Sequence, residues 1–246
     1  MLSRTLNFLM IVMPSLAFAT FDQIHPNESL HGSLVFSAGQ IFPDAPEFSS
    51  MVLDDLVLPG SITRVTAAFQ LSDPSAFAAL SNQVQGWRVS VFSDPAVGVS
   101  SGANLDQGAL ATQVVTDVQY AELGEIDGVA SFTVDLTNLS INAGTGTRWI
   151  GVSAIMPLAA NFQVFTMGNF APSSFGGGGV DNAVFINPGE GFGSTYEPLF
   201  DNAAYRVEAV PEPTTLLIFG AGLLGTCLKK KQRVTGRLSE SKEKAR

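Results

Sequence analysis

The eight residues VASFTVDL, Val129–Leu136, alternate without a break: Ala130, Phe132, Val134 and Leu136 fall on one side, Ser131, Thr133 and Asp135 on the other. Side chains on a strand repeat every second residue, so this pattern fits a half-buried β-strand and not a helix. Shorter versions recur along the chain. Ile62–Leu71 places Val65, Ala67, Phe69 and Leu71 inward, and Gly86–Ser93 places Trp87, Val89 and Val91 on one face. Arg148–Ile155 is apolar or small on both faces and reads as a strand covered on both sides. Gly32–Phe36, Met51–Leu58, Ala111–Val118, Asn161–Thr166, Ala183–Ile186 and Ala203–Ala209 complete about ten short strands. Turn-rich connections between that many strands predict an all-β body, an antiparallel β-sandwich or jelly-roll-like fold. One stretch breaks the rule. In SDPSAFAALSNQ, Asp73 stands as an N-cap and Pro74 at the first helical position, which predicts one short helix over Pro74–Ser81.

Charge is segregated along the 246 residues. Arg4 lies near the start, eight Lys and Arg lie from Lys229 onward, and between Thr20 and Val210 four arginines face 19 acidic residues, a net charge of −15. A body that acidic repels phosphate backbones and anionic headgroups and favours cations, which argues against nucleic acid as a partner. The single cysteine, Cys227, excludes an intrachain disulfide; a chain of this length buries enough core to fold without one.

Both ends look like targeting segments. MLSRTLNFLMIVMPSLAFATFDQ has one positive charge, an apolar stretch from Leu6 to Leu16, and Ala17 and Ala19 in the −3 and −1 positions of a cleavage site, which predicts a secretory signal peptide over residues 1–19. A retained N-terminal anchor is the other reading, against which the apolar run is short. Near the other end, Thr214–Leu228 is 15 residues without a charge. As a helix it would be about 22 Å long, against a hydrocarbon core of about 30 Å, so it would span only with thinning or snorkelling lysines. Lys229, Lys230, Lys231 and Arg233 follow directly and would hold that end in the cytoplasm, with the body outside. Pro211 and Pro213 mark the boundary between exported domain and membrane segment.

The order VPEP, short Gly/Leu-rich run, basic cluster resembles the PEP-CTERM sorting signal of Gram-negative bacteria. The resemblance covers residues 210–233 and divides the chain into signal peptide 1–19, exported domain 20–209, sorting signal 210–233 with its transmembrane helix at about 214–228, and a cytoplasmic tail 234–246. It implies recognition at Pro211, Glu212 and Pro213 by a membrane-embedded exosortase, a transpeptidase-like cysteine enzyme, with the body released or transferred to the cell surface or an exopolysaccharide matrix. Such signals usually stop near the basic cluster, and the 13 residues VTGRLSESKEKAR after Arg233 depart from that. The segments DDLVLPGSITRVTAAF, WRVSVFSD and AGTGTRWIGVSA also resemble a β-sandwich layout found in PEP-CTERM cargo, with Leu56 where an aromatic is common and Phe92 where a tyrosine is common.

The body offers no catalytic signature. Asp54 and Asp55 are neighbours on a strand and so point to opposite faces, which prevents them from flanking one bond as glycosidase carboxylates do; a turn, a strand-end polar role or a single cation ligand is expected instead. Glu122, Glu125 and Asp127 read as a hairpin loop, either a Ca²⁺ site or a solvated turn, without the regular D-x-D-x-D-G spacing. His25 and His31 have no cysteine beside them and form no zinc pattern. G-x-S-x-G, H-E-x-x-H and P-loop sequences are absent. Gly176–Gly179 reads as a loop and not a phosphate cradle; Phe175, Phe192 and Tyr196 read as loop anchors or as ring-stacking residues of a carbohydrate-binding face, and Trp87 and Trp149 as core. The expectation is an exported, non-enzymatic protein, structural or polysaccharide-associated. The alternatives are a secreted carbohydrate-active hydrolase on the same scaffold and an unprocessed, membrane-anchored periplasmic domain.

Overall fold

The computed structural model describes residues 19–22, 24, 30–32, 39–96, 105, 108–126, 129–169, 183–189, 196–199 and 202–211. They form two mostly antiparallel sheets. The first is built around β5 (Gly60–Leu71). On one side of β5 lie β16 (Tyr205–Pro211), and further along β12 (Val164–Asn169); on the other lie β9 (Val129–Leu136) and β10 (Ile141–Asn142). β1 (Ala19–Asp22) pairs with β16, β8 (Gln119–Ile126) with β9, and β2 (Leu30–Gly32) and β15 (Asn202–Ala203) with β12. The second sheet runs β14 (Tyr196–Pro198), β13 (Val184–Ile186), β4 (Met51–Leu58), β11 (Gly146–Ile155), β6 (Gly86–Phe92) and β7 (Ala109–Val115). The short β3 (Gln40–Ile41) pairs parallel to the end of β11.

The expected all-β sandwich is what the chain forms. Alternation on β4, β5, β6, β9 and β11 turns one set of side chains from each sheet into a shared core, with Leu56, Phe69, Trp87, Val89, Phe132, Val152 and Tyr205 each at most 1% exposed. A fully buried side chain of this kind stabilises by roughly 1.5–3 kcal/mol relative to an exposed one. Phe132 is the hub of the aromatic part: its ring lies 5.8 Å from Phe69, 5.9 Å from Phe77, 6.2 Å from Trp87 and 6.1 Å from Tyr120. Where the Trp87 ring meets polar surroundings, its Nε1–H donates to the Tyr120 hydroxyl at 2.9 Å. Burial pushes the Tyr120 phenol up, and that hydrogen bond partly offsets it.

β4 and β11 are buried on both faces. Behind the main core, Met51, Leu53, Phe92, Trp149, Val184 and Ile186 pack with Ile41 and Leu105 on the outer side of the second sheet. This explains why Arg148–Ile155 lacks a polar face.

Three local features differ from the sequence expectation. The stretch after Asp73 is helical, but Pro74–Ala79 is 3₁₀ and only Leu80–Gln83 is α, with the Asp73 carboxylate accepting from Ser75 N at 2.9 Å as an N-cap. Glu122 and Glu125 sit on a strand, β8, and not in a loop. There the register skips Leu123, and Gly124 takes a φ of 81°, the signature of a bulge that bends a nearly bare edge strand. Finally, the inward set of β5 includes Ile62 as well as Val65, which strict alternation forbids. A register shift resolves it: Glu208 stands opposite Arg64 and Ala209 opposite Ile62, so Thr63 is an extra residue that resets the face.

Candidate functional site at the end of the last strand

β16 carries the chain out of the body. Its inward residues Tyr205, Val207 and Ala209 are at most 1% exposed, and each is held against β5. The ladder continues through Val210 opposite Ser61 to Pro211 opposite Gly60. On the other side of β16, β1 reaches only as far as Ala19, which pairs with Ala209. Ala19 and Ala209 therefore meet at one point of one sheet.

Tyr205 anchors the start of the strand. Its hydroxyl crosses the sandwich, donates to Val52 O at 3.1 Å and accepts from Val152 N at 3.4 Å, so the phenol ties the last strand to two strands of the opposite sheet. Complete burial pushes its pKa far above the ordinary tyrosine value, and it stays a neutral donor. Beside it the Asp54 carboxylate accepts from Ala203 N at 2.9 Å and from Asp55 N at 3.0 Å.

On the outer face, β16 enters a charge ladder. Arg64 makes a two-pronged contact with Asp135, at 2.8 Å and 2.7 Å, and reaches Glu208 at 3.4 Å; Arg206 pairs with Asp22 at 2.7 Å. Arg64 holds the Asp135 carboxyl below its ordinary value. Both arginines are thus committed to carboxylates of neighbouring strands.

The corner past this ladder is made of two tight connections between the sheets. Leu58 of β4 and Gly60 of β5 are joined by Pro59 alone, and β10 and β11 are joined by Ala143–Thr145, with Gly144 at φ 67° and Gly146 at φ 101°. Arg148 folds back over this turn, donating to Ala143 O at 2.6 Å and Thr147 O at 2.8 Å.

Residues 209–231 match the family model for the PEP-CTERM protein-sorting motif. The chain carries a PEP-CTERM sorting motif. It indicates a protein that exosortase sorts toward the cell surface, and its first three residues, Ala209, Val210 and Pro211, are also the last three of β16. No curated protein and no solved structure matches the chain.

Of the residues expected from sequence to serve sorting, Pro211 is therefore placed on the end of the sheet, and Ala19, at the expected cleavage position, is placed beside it. Ala17, Glu212, Pro213, Lys229, Lys230, Lys231 and Arg233 lie outside the described residues, as do Asp127, Phe175, Gly176–Gly179 and Phe192. No helix among the described residues is long and apolar enough to cross a membrane.

Asp54 and Asp55 do lie on opposite faces, but neither is at a turn or strand end as expected. Both are in the middle of β4 and at most 2% exposed. Asp54 points into the main core, where backbone N–H groups supply the partners a buried carboxylate needs. Sequence gave no signal for this, because Ala203 is 149 residues away. The Arg64–Asp135–Glu208 group was equally invisible, being assembled across separations of 71 and 144 residues. Among the described residues, no group of three or more His, Cys, Asp or Glu is arranged to hold a metal ion.

Proposed function

We propose that this chain is the precursor of an exported, non-enzymatic β-sandwich that serves as a structural or polysaccharide-associated component of the cell surface or extracellular matrix. In this reading residues 1–19 are removed on export, 214–228 park the precursor in the inner membrane, and exosortase acts near Pro211, Glu212 and Pro213. The observation that carries the reading is the sorting motif joined without a spacer to the last strand of a folded body. Tyr205, Val207 and Ala209 lock the final strand into the core ahead of Pro211, so in this reading the tail is removed without opening the core. Support for a structural role comes from Asp54, the first half of the sequence-adjacent carboxylate pair, which serves the fold by accepting backbone N–H groups in the core.

The test is intact mass of the chain from envelope and matrix fractions, in cells with and without the exosortase. A mature species that starts at Thr20 and ends between Pro211 and Pro213 only when the enzyme is present supports the reading. A species still carrying Lys229–Arg246 in both strains removes it and leaves a tail-anchored domain.

A further inference from the structure

The end of the sandwich from which both termini leave has an unusual composition for so acidic a chain. Among the described residues, 57–63, 137–148 and 209–211 line its tip and together contain no aspartate or glutamate and one cation, Arg148, with Glu212 following Pro211 in the sequence. At its border Asp135 and Glu208 are paired with Arg64, and Asp94, past the end of β6, caps its own turn by accepting from Ala96 N at 2.8 Å. The accessible part of the tip includes Pro59, Ser61, Asn142 and the stretch 144–148, with Asn142, Thr145 and Thr147 exposed.

Chain length adds an independent constraint. Pro211 is fixed opposite Gly60, and the uncharged run begins at Thr214, three residues later. Three residues reach at most about 11 Å even when fully extended. The headgroup layer on each side of a bilayer is roughly 5–8 Å thick, so a tether this short leaves no room for a layer of bulk water between the sheet end and the lipid.

We propose that this end of the sandwich is a membrane-docking surface, which rests the Pro59–Ser61 corner and the Asn142–Arg148 turn on the phospholipid headgroups while the precursor is anchored. The proposal rests on the reading of 214–228 as the anchor. The partner is the lipid headgroup layer: a carboxylate-free rim with one arginine is the part of a body of charge −15 that anionic phosphates repel least. Ala19, the expected leader boundary, sits at the same end against Ala209, so a leader still attached would enter the membrane from the same side and would not pull the body over. Docking also sets the geometry for processing, because it holds Pro211 at the headgroup level, where a membrane-embedded enzyme works.

The experiment uses the full chain in vesicles of phosphatidylethanolamine and phosphatidylglycerol, with Cys227→Ser removing the native thiol. A fluorophore is attached through Thr145→Cys on the docking turn or through Ser81→Cys, exposed at the opposite end of the sandwich. Flotation reports anchoring, and quenching by an aqueous quencher and by brominated lipid reports docking. The expected result is loss of aqueous quenching and gain of lipid quenching at 145 and neither at 81, with the difference abolished by a long Gly-Ser insertion between Pro211 and Glu212. Thr147→Cys repeats the measurement independently of any effect of the first label on its turn. A chain that floats but is equally water-accessible at both ends overturns docking and leaves the anchor intact. A chain that does not float overturns the anchor reading, and docking with it.

Discussion

Pro211 stands opposite Gly60 as the last rung of the ladder between β16 and β5, and the same proline is the first of the two in the sorting motif. A residue without an N–H suits that place: it ends the pairing with no donor left over, and its fixed φ keeps the chain extended as it leaves the sheet. The last strand and the sorting motif therefore overlap over three residues, Ala209, Val210 and Pro211.

The boundary is sharp enough to test by truncation. A body ending at Pro211 is expected to unfold cooperatively, and one ending at Glu208 to be less stable by about 1–3 kcal/mol, the loss of about two backbone hydrogen bonds at roughly 0.5–1.5 each. Chemical denaturation of the two bodies, followed by tryptophan fluorescence, measures the difference.

Tyr205→Phe removes the hydroxyl that spans the sandwich to Val52 O and Val152 N. The expected cost is about 1–2 kcal/mol, since the ring still fills the core but a buried carbonyl loses a donor. Equal denaturation midpoints for the two proteins would show that the crossing bond contributes nothing to holding the last strand.

Phe132→Ala empties the centre of the aromatic cluster formed by Phe69, Phe77, Trp87 and Tyr120. A loss of about 3–5 kcal/mol is expected, the range for a large buried aromatic that leaves a cavity. Trp87 is completely buried, so its emission maximum should move toward the red in the variant.

Gly189→Ala tests a close backbone approach. A Cβ at this position would lie 2.3 Å from Glu47 Cα and 2.6 Å from its carbonyl oxygen, and backbone cannot rotate away as a side chain can. Destabilisation of about 1–3 kcal/mol is expected, with increased proteolysis around 46–50 as the readout.

The Arg64–Asp135 pair should give a pH signature. Arg64 lowers the folded-state pKa of Asp135 from its ordinary 3.8, so the stabilisation is fully present above that value and is lost as pH falls from there through the lower folded value. The pair is partly exposed and screened, so Asp135→Asn is expected to cost only about 0.5–1 kcal/mol at neutral pH. Measured against wild type, that cost should shrink toward zero below pH 3.8. A gap that stays constant down to the acid limit would assign it to the Thr66 and packing contacts instead.

Much of this protein is written in short-range pattern. The short mostly apolar run Met51–Leu58 and the alternation in Val129–Leu136 marked both strands with their ends, and the apolar character of both faces of Arg148–Ile155 announced a strand in the middle of two layers. The VPEP run with its following basic cluster gave the sorting motif, because such a signal must be readable in extended chain and owes nothing to folding. Tertiary structure decided what depends on distant partners. β8 was hidden because an edge strand with six of its eight residues exposed has no buried face to alternate, and Thr63 became a bulge only because β16 pairs on both sides of it. Asp54, expected from sequence at a turn or strand end or as a single cation ligand, lies mid-strand as a core acceptor because the fold brings Ala203 N to it. Pairing of β1 with β16, which puts Ala19 beside Ala209 at one corner of the sandwich, is likewise a contact between residues nearly 190 positions apart, and local sequence carries no information about a meeting at that range.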